Sequence, residues 1–567
     1  MRLKNLFGMA AMLALAASCS ENELVESGGT SQAGTSYAAF NIVLPTTNST
    51  RAAGDPTYEH GDANEYKVND GTILIFQKTG SEYAFIEKAK LDLGKWSTPP
   101  TTPDGITTQS KVTAQLKSVS SLASSDYYAL VLLNNSSAVS MPTSGIYSTW
   151  NNTAQAKTVE DLIGEKKDNF LMTNAALNVA ANPFGTLVKI DKNKIYSTKK
   201  DAEEKDAAAT IHVQRAVAKV TAKVGTGTGI SGNTVNVKGS TTDAVEFNNW
   251  VLDVTNKKTF PVQNVSTLDN GIWAFVHNGV NYTVGNQARL FWAIDPNYNN
   301  GNLNLLVKPG PEERQENFNY IESFPSTSNA MGGNDYCLEN TFDLNNMKQG
   351  QTTRVLFKAQ YKVSGSAATF YMVGKNTEML NETNLSNRIQ STAQEIFNAT
   401  GKSYAITINL GDIKTTASSK HKIAASNILV DGTAIAPATE YGAAEKTKTG
   451  AEIVKEVNNN LGISDEIGIS TYLNGVTYYI ARIKHFGDDY TPWNSGESYG
   501  SDNAKYLGRY GVLRNNWYEL TVNSVSGPGY PTIPPVKPET PDDESDKYIK
   551  CDIKILSWAK RTQNLDL

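Results

Sequence analysis

The sequence predicts an all-β protein with minor helices, organised as β-sandwich domains. Three observations predict it. Asn, Thr, Ser, Gly and Tyr are abundant while charged residues make up only 19% of 567 residues, a mix that favours β structure over helix. Short apolar runs at period two recur along the chain, separated by turn residues. Only two segments carry a helical period of convincing length.

The first element is a strand from Tyr37 to Leu44, with Phe40, Ile42 and Leu44 on one face; Pro45 ends it. Residues 46–56 read as a polar loop with Arg51 at its centre. Further strands follow at residues 72–76, 127–133 and 213–224. In the last of these Val217, Lys219, Thr221 and Lys223 alternate with Ala216, Ala218, Val220, Ala222 and Val224. The two helices are Leu385–Ala399, stopped by Gly401, and residues 451–461, stopped by Gly462. Ile389, Ala393, Ile396 and Phe397 share a face of the first; Ile453, Val454, Val457 and Leu461 share a face of the second. Both are expected to cover a sheet. A strand over 518–525 closes this part of the chain.

Residues 527–546 form a linker rich in Pro and acid, expected to be extended and unable to pack. It leads to an isolated strand, residues 548–556, with Ile549, Cys551, Ile553 and Ile555 on one face. Trp558 follows. An apolar strand of this kind is not stable alone in water and needs a sheet to join.

The N-terminus addresses the chain. Arg2 and Lys4 precede an apolar run from Met9 to Ala17, and small residues lead to Cys19. A charged start, a short apolar core and small residues at the cut describe a signal peptide, too short to span a bilayer. A Cys at the cut reads as a bacterial lipoprotein signal, with Cys19 acylated; the cytoplasm is excluded as the working compartment. Residues 20–36 then read as a tether. The net charge of −5 gives no sign of nucleic-acid binding. Cys337 and Cys551 remain as a possible pair or as two buried thiols.

Motifs for chemistry are weak. Gly496-Glu497-Ser498-Tyr499-Gly500 has the spacing of a nucleophile elbow, but no His occurs after His485. Residues 227–232 match a dinucleotide fingerprint, yet a strand follows where a helix is required, so a hairpin is expected. Asp295-Pro296-Asn297-Tyr298-Asn299-Asn300 begins like a calcium loop but lacks the Gly at place six and the Glu at place twelve. The five His are scattered. No enzyme, cofactor or metal is expected.

Several segments resemble the fimbrillins of Bacteroidales type V pili, in the Mfa (short fimbria) major-subunit branch. They include residues 215–220, 249–256, 336–342 and 478–486, and above all Arg509-Tyr510-Gly511-Val512-Leu513-Arg514-Asn515-Asn516-Trp517-Tyr518. The resemblance implies two transthyretin-like β-sandwich domains with a tethered C-terminal donor strand. It divides the chain into a signal peptide (1–18), a propeptide with tether and removable first strand (19–51), an N-terminal sandwich (52–258), a C-terminal sandwich (259–526), the linker (527–546) and the donor strand (547–567).

It further implies a lipoprotein precursor at the outer membrane, cut between Arg51 and Ala52 outside the cell. The cut would remove Phe40, Ile42 and Leu44 from a groove. A neighbour's Ile549, Cys551, Ile553, Ile555 and Trp558 would take it by donor-strand exchange. A donor at one end and an acceptor at the other make a head-to-tail polymer, an open filament. The implied partners are further copies of the chain, tip and anchor subunits, and the outer membrane through the lipid before processing. The alternatives are a tip or anchor subunit, or a monomeric glycan-binding surface lipoprotein whose terminal strand completes its own domain.

Overall fold

A computed structural model describes residues 35–44, 61–94, 109–153, 155–179, 182–264, 276–277, 280–281, 283–284, 287–289, 293–298, 315–341, 346–485, 493, 506, 508–543 and 549–556. The protein is mainly β, as the sequence predicts.

The first unit holds β1 (Ser36–Val43), β2 (Gly71–Thr79), β3 (Glu82–Asp92), β4 (Gln109–Leu116), β5 (Tyr127–Leu133), β6 (Met172–Asn174) and β7 (Ala209–Arg215). Their pairing order is β5-β2-β3-β4-β1-β7-β6, and β6 returns to pair with β5, so the ring of ladders closes. The closure is narrow between β3 and β4, which pair only at Leu91↔Ala114 and Asp92↔Thr113. The apolar face of each strand turns inward: Phe40, Ile42, Ile73, Ile75, Val131, Leu133, Ile211 and Val213 form one buried cluster. β5 is buried at all seven positions, which is why its run Tyr127–Leu133 reads as continuous apolar sequence.

The expected strand 213–224 is two strands. β7 ends at Arg215, and β8 (Val217–Val224) begins after Ala216 in a different sheet. This second sheet has the order β10 (Asn334–Leu338), β8, β15 (Trp517–Val525), β16 (Ile549–Leu556). It packs against a sheet containing β9 (Ala244–Asp253), β11 (Arg354–Lys362) and β14 (Val476–Arg482). Phe247, Trp250, Phe357, Tyr361, Tyr479, Tyr518 and Leu520 fill the space between. The second unit therefore takes in residues from 217 onward, upstream of the 258/259 edge expected from sequence. The alternation of β8 hid the break, because period two runs unbroken through Ala216 while the strand changes partners.

Between β11 and β14, which are hydrogen-bonded neighbours, the chain inserts a third core. β12 (Phe370–Val373) pairs with β13 (Ile469–Tyr472). Helices α2 (Glu382–Ala399) and α3 (Gly450–Asn460) bury Leu385, Ile389, Ile396, Phe397, Ile453 and Val457 in it. Both helices start on side-chain caps: Asn381 accepts from Asn384 N at 2.8 Å, and Thr449 and Glu452 form a reciprocal capping box. Gly401 (φ +77) and Gly462 (φ +70) follow their ends, the left-handed geometry that glycine adopts freely. The helices thus cover small sheets, as expected.

Candidate functional site

The groove begins with β1. It pairs antiparallel with β4 over all eight residues, from Ser36↔Leu116 to Val43↔Gln109. On its other side it runs parallel to β7, from Phe40↔Ala209 to Val43↔His212, and Tyr37 and Ala38 face Tyr196 and Ile195. Ala38, Phe40 and Ile42 are fully buried and Leu44 nearly so. Withdrawing β1 would open a slot with backbone donors and acceptors on both walls and an apolar floor. Burial of the three large side chains alone is worth about 1.5–3 kcal/mol each. Cys19, Arg51, Ala52 and Trp558 lie outside the described residues.

The segment after the proposed cut is anchored. The short helix α1 (Ala63–Tyr66) brings Glu65 into the interior, 1% exposed. Lys219 Nζ lies 2.6 Å from Glu65 Oε1 and 3.2 Å from Asp62 Oδ2. The Tyr336 hydroxyl donates to Glu65 Oε1 at 2.5 Å, and Arg215 Nε donates to the Glu65 carbonyl at 2.6 Å. Arg215 also reaches Asn515 Oδ1 at 3.2 Å. Lys219 stands 4.0 Å from the centre of the Trp517 ring, a cation–π contact. Burial lowers Arg215 to about 10, which leaves it charged at neutral pH, and burial followed by the Glu65 charge raises Tyr336. The cluster joins α1 to β7, β8, β10 and the loop before β15, so it ties the chain after the cut to both units. Sequence reasoning missed it. Lys219 sits in an alternating strand, which by itself does not mark it as buried; the D-x-x-E spacing of Asp62 and Glu65 was the one visible signal, and it marks only a helix start.

The terminal strand joins a sheet of its own chain. β16 pairs antiparallel with β15 of its own chain, from Trp517↔Leu556 to Val525↔Ile549, with a register shift between Val522 and Ser524. Among the described residues it is an edge strand with one partner in the sheet order. The linker does not hold it away. Gly527 O accepts from Tyr479 Oη at 3.0 Å, Gly529 O accepts from Tyr472 Oη at 2.8 Å, and Tyr530 and Tyr478 exchange both backbone bonds at 2.8 Å. Arg354 Nη2 donates to Pro534 O at 3.1 Å, and Gln349 N donates to Thr540 O at 2.9 Å. The linker is therefore a packed strap. Proline rules out helix and central strand, but it leaves every carbonyl free to accept from a neighbouring Tyr, Arg or backbone N–H.

Other sequence signals are resolved as follows. Cys337 is a buried free thiol on β10. Two strands separate β10 from β16, roughly 14 Å at ordinary strand spacing, so Cys337 and Cys551 do not pair in this arrangement. Ile230–Ser231 and Thr234–Asn236 form a hairpin where the dinucleotide match falls. Pro296–Tyr298 is a single 3-10 turn. Beside it Asp295 accepts from Asn297 N, Asn297 Nδ2, Asn256 Nδ2 and Thr341 N at 2.7–2.9 Å. Burial pushes the Asp295 carboxyl up to about 7 while these donors pull it back. Gly496–Gly500 lies outside the described residues. Among the described residues no cluster of three His, Cys, Asp or Glu could hold a metal, and no helix is long and apolar enough to cross a membrane.

The fold is that of a mainly β protein with several sheets. Residues 470–564, from within β13 past the end of β16, match the family described as major fimbrial subunit protein type IV, fimbrillin, C-terminal. The fimbrillin resemblance read from the sequence is met there, and the match supports a fimbrial subunit role. No curated protein matches the chain. Among solved structures, a candidate cell-adhesion protein from Parabacteroides distasonis aligns over 92% of this chain and 99% of its own, with 11% identity and a TM-score of 0.33.

Proposed function

We propose that the protein is a structural shaft subunit of a cell-surface fimbria, exported as a lipoprotein through Cys19, cut at Arg51–Ala52 and polymerised by donor-strand exchange. One contrast supports this most: β1 has a ladder on each side, whereas among the described residues β16 has one. A β16 that leaves its edge and enters a neighbour's vacated slot exchanges one ladder for two and buries its apolar face between two walls. The exchange is downhill once β1 has gone and has no vacancy to enter before that, so the cut controls the timing.

The two strands also match in length. β1 and β16 each have eight residues. Laid end to end in the same direction, Ile553 takes the place of Phe40, Ile555 that of Ile42, Leu556 that of Val43 and Cys551 that of the small Ala38. Asp552 then falls at buried Ala39, the one unfavourable match. Ala38 faces Ala114 of β4. In oxidised filaments of Ala114→Cys, Cys551 is expected to form intermolecular disulfides, giving a covalent ladder on non-reducing gels. A ladder from Val112→Cys but not from Ala114→Cys would mean that the strand sits two residues away.

Arg51→Ala is expected to keep residues 19–51 on the surface protein, seen as added mass, and to abolish filaments. Normal filaments with an N-terminus elsewhere would move the cut. The parked position of β16 favours one rival: a monomeric or terminal subunit in which β16 permanently completes its own sheet. In that case removal of β16 changes only stability.

A further inference from the structure

We propose that Asp542 and Asp543 form a latch that fixes the root of the terminal strand, so that the Pro-rich strap stays docked when the strand changes sheets. The inference rests on the donor-strand reading for its consequence in filaments, but the latch itself is a property of the single chain. Both carboxylates are drawn inward. Asp542 is 2% exposed; Thr352 Oγ1 donates to its Oδ2 at 2.5 Å, and Arg482 Nε stands 3.3 Å from its Oδ1. Asp543 receives Arg509 in a fork, Nε at 2.8 Å to Oδ2 and Nη2 at 2.8 Å to Oδ1, and the Tyr510 hydroxyl at 2.7 Å. The Arg509 and Asp543 side chains are 3% and 5% exposed. Forked, desolvated guanidinium–carboxylate pairs are the strongest and most directional of protein ion pairs.

The partners come from three places: Arg482 from the end of β14, Thr352 from just before β11, and Arg509 and Tyr510 from the segment leading to β15. The latch is thus built into the same sheets that hold the second core. Backbone contacts reinforce it, with Asp542 N donating to Met347 O at 3.2 Å.

The consequence is geometric. From Asp543 to Ile549 the chain takes six steps, a reach of about 20 Å when extended. Were the strap free from Gly527, twenty-two steps would give a reach of roughly 70 Å. A short reach from a fixed root places the neighbouring subunit within a narrow range of distance and angle; a long free tether would join subunits like beads on a string. The acidic pair therefore acts as a positioning device for assembly, and the prolines keep the strap extended along its dock.

The test uses the full chain carrying Asp542→Asn and Asp543→Asn together. In the secreted, unpolymerised protein, hydrogen exchange of peptides spanning residues 528–543 is expected to rise tenfold or more, with exchange in β2 and β5 unchanged. Filaments of the variant are expected to form but to bend more, with persistence length reduced severalfold in electron micrographs. Unchanged exchange in the strap overturns the latch, whatever the filaments do. Raised exchange with filaments of ordinary stiffness overturns its positioning role. If the double variant is not secreted, Tyr510→Phe removes one hydroxyl and no charge; it should raise exchange in the same peptides, and no rise again overturns the latch. Failure of the donor-strand reading shows separately, as filaments from a chain that lacks β16.

Discussion

A chain ending at Asp546 is expected to fold and be secreted, yet to form no filaments. It retains the strap, the latch and every strand of both cores except β16. β16 lies at a sheet edge, so its loss breaks one ladder, to β15, and leaves β8 and β15 paired. β15 is itself strongly held: Tyr518, Leu520 and Val522 are fully buried. Loss of a central strand such as β1 would instead split the closed ring. The truncated subunit keeps its acceptor slot but has nothing to give, so it should cap a growing filament when mixed with intact subunits. Shortening of filaments in proportion to the truncated fraction, measured by electron microscopy, is the quantitative form of the prediction. Normal filaments from the truncated chain alone would remove β16 as donor. A truncated chain that is monomeric and does not shorten mixed filaments would favour the subunit that completes its own sheet. The exposed β15 edge should also make the truncated protein more prone to aggregate, so assays belong at low concentration.

Glu65→Ala is expected to be among the most destabilising single changes in the mature chain, about 3–5 kcal/mol. The reason is what remains behind. Lys219 is 1% exposed and would be left in the interior with only the solvent-facing Asp62 nearby. The buried Tyr336 hydroxyl would lose its acceptor, a further unmet group. The loss should appear in urea titration followed by tryptophan fluorescence, since Trp517 lies against Lys219. Removing both partners with apolar residues, Glu65→Leu with Lys219→Met, should recover most of the stability, because no unpaired charge is left. If the single variant costs less than about 1 kcal/mol, water reaches the cluster and the clamp has little hold on the chain after the cut. The clamp holds residues 62–65 against the junction between the two units.

Much of the architecture was legible without coordinates. β1, β2, β5, β15 and both long helices fall within a few residues of their periodic patterns, because a half-buried strand or helix writes its burial into the sequence. β16 was legible as a strand that needs a sheet, but not as a strand already seated on β15. The strap was misread: proline content reports what the backbone is unable to form, and says nothing of carbonyls taken up by Tyr472, Tyr479 and Arg354. Val213–Val224 was read as one strand because alternation carries no record of a change of partner at Ala216. The Glu65–Lys219 clamp and the Asp542–Asp543 latch were invisible for a shared reason. Their members lie more than 150 and more than 30 positions apart respectively, and each charged residue taken singly has the pattern of a solvated one.

By itself the sequence determined the β class, the placement of the main strands and helices, the apolar faces of the first and last strands and the fimbrillin resemblance. These are local properties, set by periodicity, turn chemistry and side-chain type within a few residues. Only the tertiary structure decided that β1 is paired on both sides and, among the described residues, β16 on one, that the strap is docked, and that buried charges clamp its root and the chain after Arg51. Those are pairings across long stretches of chain, and their energies come from desolvation and from which edge meets which, quantities that exist only once the chain has folded.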